Sequence, residues 1–225
     1  MGPTFLDATD PWIRWDWFWR HVPVFEARLL EHIQLTVIAV VIGFLIAAPL
    51  AVLAHRWRPL RDPLLAISGL LYTVPSLALF AFLIPFTGLS VLTSEIGLVS
   101  YTILILLRNT LVGLDGVPAD VLDAAEGMGY RPLARLLSIE LPLASPAILA
   151  GLRIATVTTI GLVTVTALIG QGGLGQLINQ GLIEDFKTPL VVGTALSVLL
   201  ALVADVGLAN AERLLTPWSQ SRAVA

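Results

Sequence analysis

Charge is missing from long stretches of this chain. Between Ile33 and Ala54, and again between Pro63 and Thr87, no Asp, Glu, Lys or Arg occurs. A soluble domain carries about a quarter charged residues. Here charged residues make up 13%, hydrophobic residues 56%, and mean hydropathy is +0.87. Most of the surface is therefore expected to face lipid. Each run also meets the length of roughly 20 apolar residues that a helix needs to cross ~30 Å of hydrocarbon. The 225 residues suit one domain of a few spans plus loops rather than two domains.

Three further segments qualify as spans. Leu143 to Ile169 contains one charge, Arg153, and Leu190 to Asn210 contains one, Asp205. The segment from Leu92 to Leu111 holds Glu95 and Arg108. These lie about 20 Å apart at ~1.5 Å per residue, so each is expected to snorkel toward its own interface. The expectation is an all-α membrane protein with spans at 33–54, 63–87, 92–111, 143–169 and 190–210. Pro75 and Pro85 fall inside the second span, where proline frees a carbonyl and kinks a helix.

The basic residues set an orientation. Arg56, Arg58 and Arg61 follow the first span, Arg131 and Arg135 lie between the third and fourth, and Arg213 and Arg222 follow the fifth. With five spans all of these fall on one side. The positive-inside rule makes that side cytoplasmic, with the N-terminus outside and the C-terminus inside. Trp12, Trp15, Trp17, Phe18 and Trp19 crowd the opening 1–32 segment. They read as an extracytoplasmic interfacial segment, because indoles favour the headgroup region. A cage for a quaternary ammonium is the sharper alternative. The segment does not resemble a secretory signal, which puts a short basic stretch before its apolar run.

Several classes are excluded. No basic patch argues for nucleic acid. The chain has no cysteine, and its three histidines, His21, His32 and His55, are scattered, so no metal site is expected. Gly170 to Gly175 formally fits GxGxxG, but it follows a span rather than a strand, so it reads as a flexible turn at the outer mouth. Gly181 to Thr188 nearly mimics a phosphate loop, yet Phe186 stands where glycine is required. Lys187 is the only lysine, so no second candidate exists. No catalytic constellation lies in the spans.

The stretch from Asp115 to Pro142 is different. Asp115 and Gly116 are candidate caps, and Pro118 suits a first helical turn. Val121, Leu122 and Ala125 share a face, Gly127 and Gly129 supply a turn, and Pro132 opens a second helix carrying Leu133, Leu136 and Leu137. Pro142 marks entry to the fourth span. On the residues alone, two readings stand: a helix pair that contacts a partner, or an interfacial helix on the inner leaflet.

Within this stretch Asp123-Ala124-Ala125 is followed after three residues by Gly129, and after nine more by Ile139, Glu140, Leu141 and Pro142. The pattern resembles the EAA loop of permeases of ATP-binding-cassette importers, with Asp123 in place of the usual glutamate. Thr73-Val74-Pro75-Ser76-Leu77-Ala78-Leu79, Leu107-Arg108-Asn109-Thr110 and the glycine-rich run after Ala167 look like the group that moves glycine betaine, choline and carnitine. The likeness runs from about Ile33 to Pro217.

The resemblance implies a type I importer permease domain over 33–217, with a cytoplasmic coupling loop at 115–142 and a cytoplasmic tail at 218–225. It also implies the partners. These are two ATPase subunits docking on Asp123, Ala124, Ala125, Gly129, Ile139, Leu141 and Pro142, a second permease chain, the same or related, and an extracytoplasmic binding protein. ATP and Mg would be bound by the ATPase, and no cofactor by this chain. Candidate pathway or intramembrane polar residues are Tyr72, Pro75, Ser76, Arg153 and Asp205. Arg153 and Asp205 lie at similar depths, roughly 12–15 Å by helical rise, and are expected to pair or to line a wet interior. Tyr72, Phe80 and Phe82 offer cation-accepting faces, although packing explains most aromatics. The threonines of the fourth span, among them Thr159, Thr164 and Thr166, are explained by helix–helix hydrogen bonding. Two alternatives remain: a permease for another small polar solute, and an ion-coupled secondary transporter.

Overall fold

The computed structural model describes residues 11–218, and every regular element among them is helical. The terminal parts of the expected 1–32 and 218–225 segments, with Arg222, lie outside the described residues. In chain order the helices are α1 (Trp15–Arg20), α2 (Val22–Arg56), α3 (Arg61–Thr73), α4 (Ser76–Thr87), α5 (Val91–Asp115), α6 (Ala119–Gly127), α7 (Pro132–Arg135), α8 (Leu141–Val165), α9 (Leu174–Ile183) and α10 (Lys187–Leu215). Helices are what a lipid-facing chain must build, since hydrocarbon offers no partner for an open backbone N–H or C=O.

Among the described residues, four helical stretches are long and apolar enough to cross a membrane: Val22–Arg56, Val91–Asp115, Pro132–Ile169 and Lys187–Leu215. A fifth forms only if a bent pair counts as one span, and that pair is the expected 63–87 segment. Its two parts, Arg58–Thr73 and Ser76–Thr87, meet at 95°. Proline therefore breaks this span where a kink was expected. Pro75 sits extended at φ −58°, ψ 133° as the N-cap of α4, and the residue before a proline is pushed out of the helical region. Pro85, inside α4, does not interrupt it.

Two boundaries differ from the sequence reading. Asp115 closes α5 instead of capping the next helix, and Pro118 is the N-cap of α6. Pro142 is the second residue of α8, as expected of the entry to the fourth span, although helical structure continues back from there to Pro132. A π turn at Leu136–Glu140 lies just ahead of Pro142. A wider turn already leaves i−4 carbonyls without their usual donors, so a proline following it costs less than in a regular helix.

The chain folds as two compact units. One combines the chain up to Val40 with Val74–Val99 and Thr156–Ala204. Its core gathers Phe25, Leu174, Leu177 and Val192, with Trp17, Phe18, Leu29 and Leu196 packed against them. The tryptophan-rich segment thus divides. Trp17 and Phe18 pack inward, with Trp17 stacked on His21 at 3.9 Å between ring centroids, while Trp12, Trp15 and Trp19 stay exposed. The glycine-rich turn also belongs here, and it is wedged rather than loose. Gly170, Gly172 and Gly173 all have positive φ, and a Cβ on Gly173 would lie 2.6 Å from Arg28 O and from His32 N.

The other unit combines Val41–Thr73 and Ser100–Ala155 with the chain from Asp205 onward. Ala47, Ala51 and Ala54 of α2 meet Leu106, Leu107 and Leu111 of α5 and Ala155 of α8. The alanines recur at helical spacing on one face, and such small residues let membrane helices approach closely. Gly113 does the same against Ala144, whose carbonyl would be 2.7 Å from a Cβ there. This packing fixes where the Asp115–Pro142 loop emerges.

Candidate functional site

The loop is a helix, a sharp corner and a second helix. At the corner, Tyr130 N–H donates to Ala125 O (3.1 Å) and Gly129 N–H donates to Glu126 O (2.9 Å). That pair of bonds is a Schellman motif, which needs a left-handed residue just past the helix. Gly129 supplies it at φ +81°. Nothing lies within 4 Å of a Cβ built on Gly129, so the requirement is conformational and not one of space. Gly127, also read as a turn residue, instead ends α6 in ordinary helical geometry.

Burial sorts the loop residues. Ala125 is fully buried, while Asp123, Ala124 and Gly129 face solvent. Ile139 and Leu141 are half-buried and Pro142 is exposed. Met128, Tyr130, Leu133 and Leu137 add large exposed apolar surface to the corner and the second helix. Exposed apolar surface rimmed by charge marks a place where something else binds.

Behind that surface lies an ionic cluster that sequence reasoning missed. Glu140, at the end of the π turn, is 1% exposed. Arg135 Nε donates to its Oε1 at 2.9 Å and Arg56 Nη2 at 3.3 Å. His55 Nε2 lies 3.5 Å from Oε2. Arg56 Nη2 also donates to Pro132 O (2.9 Å). His55 Nδ1 donates to Asp115 (2.8 Å), whose other oxygen pairs with Arg61 (2.7 Å). Arg135 reaches back toward Glu126 at 3.5 Å. Read along the chain, Arg56 and Arg61 only signalled orientation and His55 looked isolated. The one available signal was Glu140 itself, the lone acid between Glu126 and Glu184 in an apolar run.

The membrane-embedded candidates separate. Arg153 and Asp205 form a two-pronged ion pair. Nη2 donates to Oδ2 at 2.8 Å and Nε to Oδ1, a fork that matches a carboxylate well. About a third of each side chain is uncovered in the isolated chain, 38% and 34%. Tyr72 is exposed, edge-on to Tyr101 at 5.8 Å. Pro75 and Ser76 stand at the break that starts α4. Phe80 leaves the pathway list, because it is fully buried and a side chain at Gly97 would run into its ring. Phe82 remains exposed.

Glu95 does not snorkel. It is 8% exposed and neither carboxylate oxygen has a hydrogen-bond partner, because α5 begins at Val91 and holds it one turn inside the packed helix. Arg108 does remain exposed. Thr164 and Thr166 bond back to Gly161 O (2.7 Å) and Val163 O (2.8 Å) within their own helical run, so bonding between helices does not explain their presence.

The family model described as binding-protein-dependent transport system inner membrane component matches residues 39–216. The choline transport system permease protein OpuBB of Bacillus subtilis (strain 168) is 40% identical over 196 residues, covering 87% of this chain and 90% of that one. The glycine betaine/carnitine/choline transport system permease protein OpuCB of the same organism is 37% identical, covering 83% and 86%. Among solved structures, the MetNI methionine ABC transporter in an inward-facing conformation superposes with a TM-score of 0.78 at 22% identity, covering 88% of this chain and 98% of that chain. At that identity the likeness speaks for the fold.

Proposed function

The chain belongs to the binding-protein-dependent transport system inner membrane components, and on that premise we propose that it carries quaternary ammonium osmoprotectants such as choline, glycine betaine or carnitine. It is a multi-pass membrane subunit of an ATP-binding-cassette importer, in which ATP hydrolysis belongs to a separate subunit. The observation that carries the reading is the loop: a helix pair set by Gly129, with Asp123, Ala124 and an apolar corner turned to solvent and Ala125 buried beneath.

In this reading two ATPase subunits, holding ATP and Mg, dock on the loops of two permease chains in the bacterial inner membrane. The C-terminus and the Asp123–Pro142 surface are cytoplasmic and the tryptophan-rich segment is outside. A separate binding protein delivers the solute. Nucleotide binding favours one global state over the other, and the loop passes that preference to the spans. Asp123 and Ala124 touch the ATPase, Gly129 sets the corner, and Ile139, Leu141 and Pro142 lead into the fourth span. The Arg153–Asp205 pair supports a second permease chain or a wet pathway beside it, because a partly uncovered ion pair at that depth needs a polar or protein neighbour. The solute class rests on the named relatives, with Tyr72, Pro75 and Ser76 as the first residues to vary along the pathway.

The test is uptake of labelled choline, glycine betaine and carnitine into proteoliposomes holding this chain, its ATPase and its binding protein. ATP-dependent uptake of at least one is expected. ATP-dependent uptake of some other solute alone would overturn the solute class. Uptake driven by an ion gradient without ATP would overturn the importer.

A further inference from the structure

We propose that Glu140 is a positioning residue that makes the first membrane helix, α2, move with the loop; this rests on reading the loop as the ATPase-facing element. The last residues of α2 and the first of α3 are bonded to both ends of the loop. At its entry, His55 and Arg61 hold Asp115, the final residue of α5. At its exit, Arg56 holds the carbonyl of Pro132 and the carboxylate of Glu140, while His55 approaches the other oxygen of that carboxylate. Arg135, from the loop's own second helix, completes the grip on Glu140. The π turn ends at Glu140 and sets which way it points, and inserted turns of this kind recur at functional sites.

Burial turns these contacts into a linkage. An exposed salt bridge breaks cheaply because water replaces each partner. Glu140 has no such substitute at 1% exposure, so a loop displaced by a partner must carry the His55–Arg56 end of α2 with it or strand buried charge. Among the described residues the loop's corner has no comparable tie. Its glycine stands free of neighbours and its link from Glu126 to Arg135 is long at 3.5 Å and largely exposed on the Glu126 side. A push on the corner is therefore delivered to α2 through the one buried anchor.

The experiment uses the complete transporter, this chain with its ATPase and binding protein in liposomes. It records ATPase retained on purification and the ratio of choline-stimulated to choline-free hydrolysis. Glu140→Gln keeps the shape and removes the charge. Arg56→Gln removes the hydrogen bonds from α2 to Glu140 and to Pro132 O, and leaves Glu140 with Arg135 and only the long 3.5 Å approach of His55 from α2. Both variants are expected to keep the ATPase while the stimulation ratio falls by about tenfold, the scale of a typical coupling between sites, and Arg56→Lys is expected to recover part of it. An assembled variant with a wild-type ratio would overturn the proposal. If Glu140→Gln fails to assemble, Arg56→Gln decides alone; failure of both assigns the cluster a folding role only and equally overturns it. Wild type that retains no ATPase would sink the reading of the loop instead.

Discussion

Two regions of the molecule use the same residue types in opposite ways. In the unit that carries the loop, one oxygen of the buried Glu140 carboxylate accepts from both Arg135 and Arg56, while the other has no hydrogen bond and lies 3.5 Å from His55. In the unit that carries the glycine-rich turn, the buried carboxylate of Glu95 has no hydrogen-bond partner. The glycines divide likewise. Gly129 has a left-handed backbone with open space around it, whereas Gly173 is pressed against the backbone of α2. The contrast teaches what each region is for. The loop unit pins its base with charge and leaves its corner free to be touched. The other unit closes backbone on backbone and holds one acid, Glu95, without a hydrogen-bond partner among the described residues.

Substitutions test that contrast, beginning with the largest effect. Glu140→Ala leaves the guanidinium groups of Arg135 and Arg56, 22% and 31% exposed, without their shared carboxylate. Breaking a fully buried pair from one side costs about 3–5 kcal/mol, and partial solvation of the two guanidinium groups puts the loss expected in thermal unfolding in detergent at the lower end of that range. A small loss would mean that water reaches the cluster. Next is Gly173→Ala, which drives a methyl into Arg28 O and His32 N, each 2.6 Å away. Overpacking of this kind costs about 1–3 kcal/mol, with left-handed strain added. Gly173→Asn should be at least as harmful, because the obstacle is space.

Gly129→Ala should cost less, about 1–2 kcal/mol from backbone handedness alone. Gly129→Asn should recover much of it, since asparagine accepts that conformation. The pair of asparagine variants thus separates a conformational glycine from a steric one, and equal behaviour would erase the distinction. The smallest effect is expected at Glu95→Gln. No hydrogen bond is lost there, so the change should stay within about 1 kcal/mol. A loss as large as that of Glu140→Ala would show that Glu95 has an ionic partner in the assembled transporter.

How much of this was legible in the sequence depended on how local the cause was. The corner at Gly129 was legible because a Schellman turn is set by five or six consecutive residues. The spans were legible from length and charge, and the Arg153–Asp205 pair followed from counting depth along two helices. The break at Pro75 was read too weakly. The sequence shows a proline, but whether a helix bends or stops there depends on what packs around it. Pro142 was legible as the entry to α8, but the π turn just ahead of it leaves no sequence signature. Glu140 was out of reach because its partners sit 84 and 85 residues away at Arg56 and His55. Only the packing of Ala47, Ala51 and Ala54 against α5 brings the end of α2 to the loop. Nothing in the composition around Glu95 distinguishes a buried acid from a snorkelling one.

The most direct test of the account is site-directed cross-linking of the loop to the ATPase. The chain contains no cysteine, so Met128→Cys and Leu133→Cys each introduce a single reactive thiol on the exposed apolar corner without further engineering. With a single cysteine on the facing groove of the ATPase, the expected result is a specific permease–ATPase cross-link whose yield changes on adding ATP. Cysteine at Leu182 or Ile183, also exposed but in the other unit, should give none. An ATPase that co-purifies yet never cross-links to the corner, or that cross-links through Leu182→Cys, would contradict the claim that this loop is where the ATPase acts.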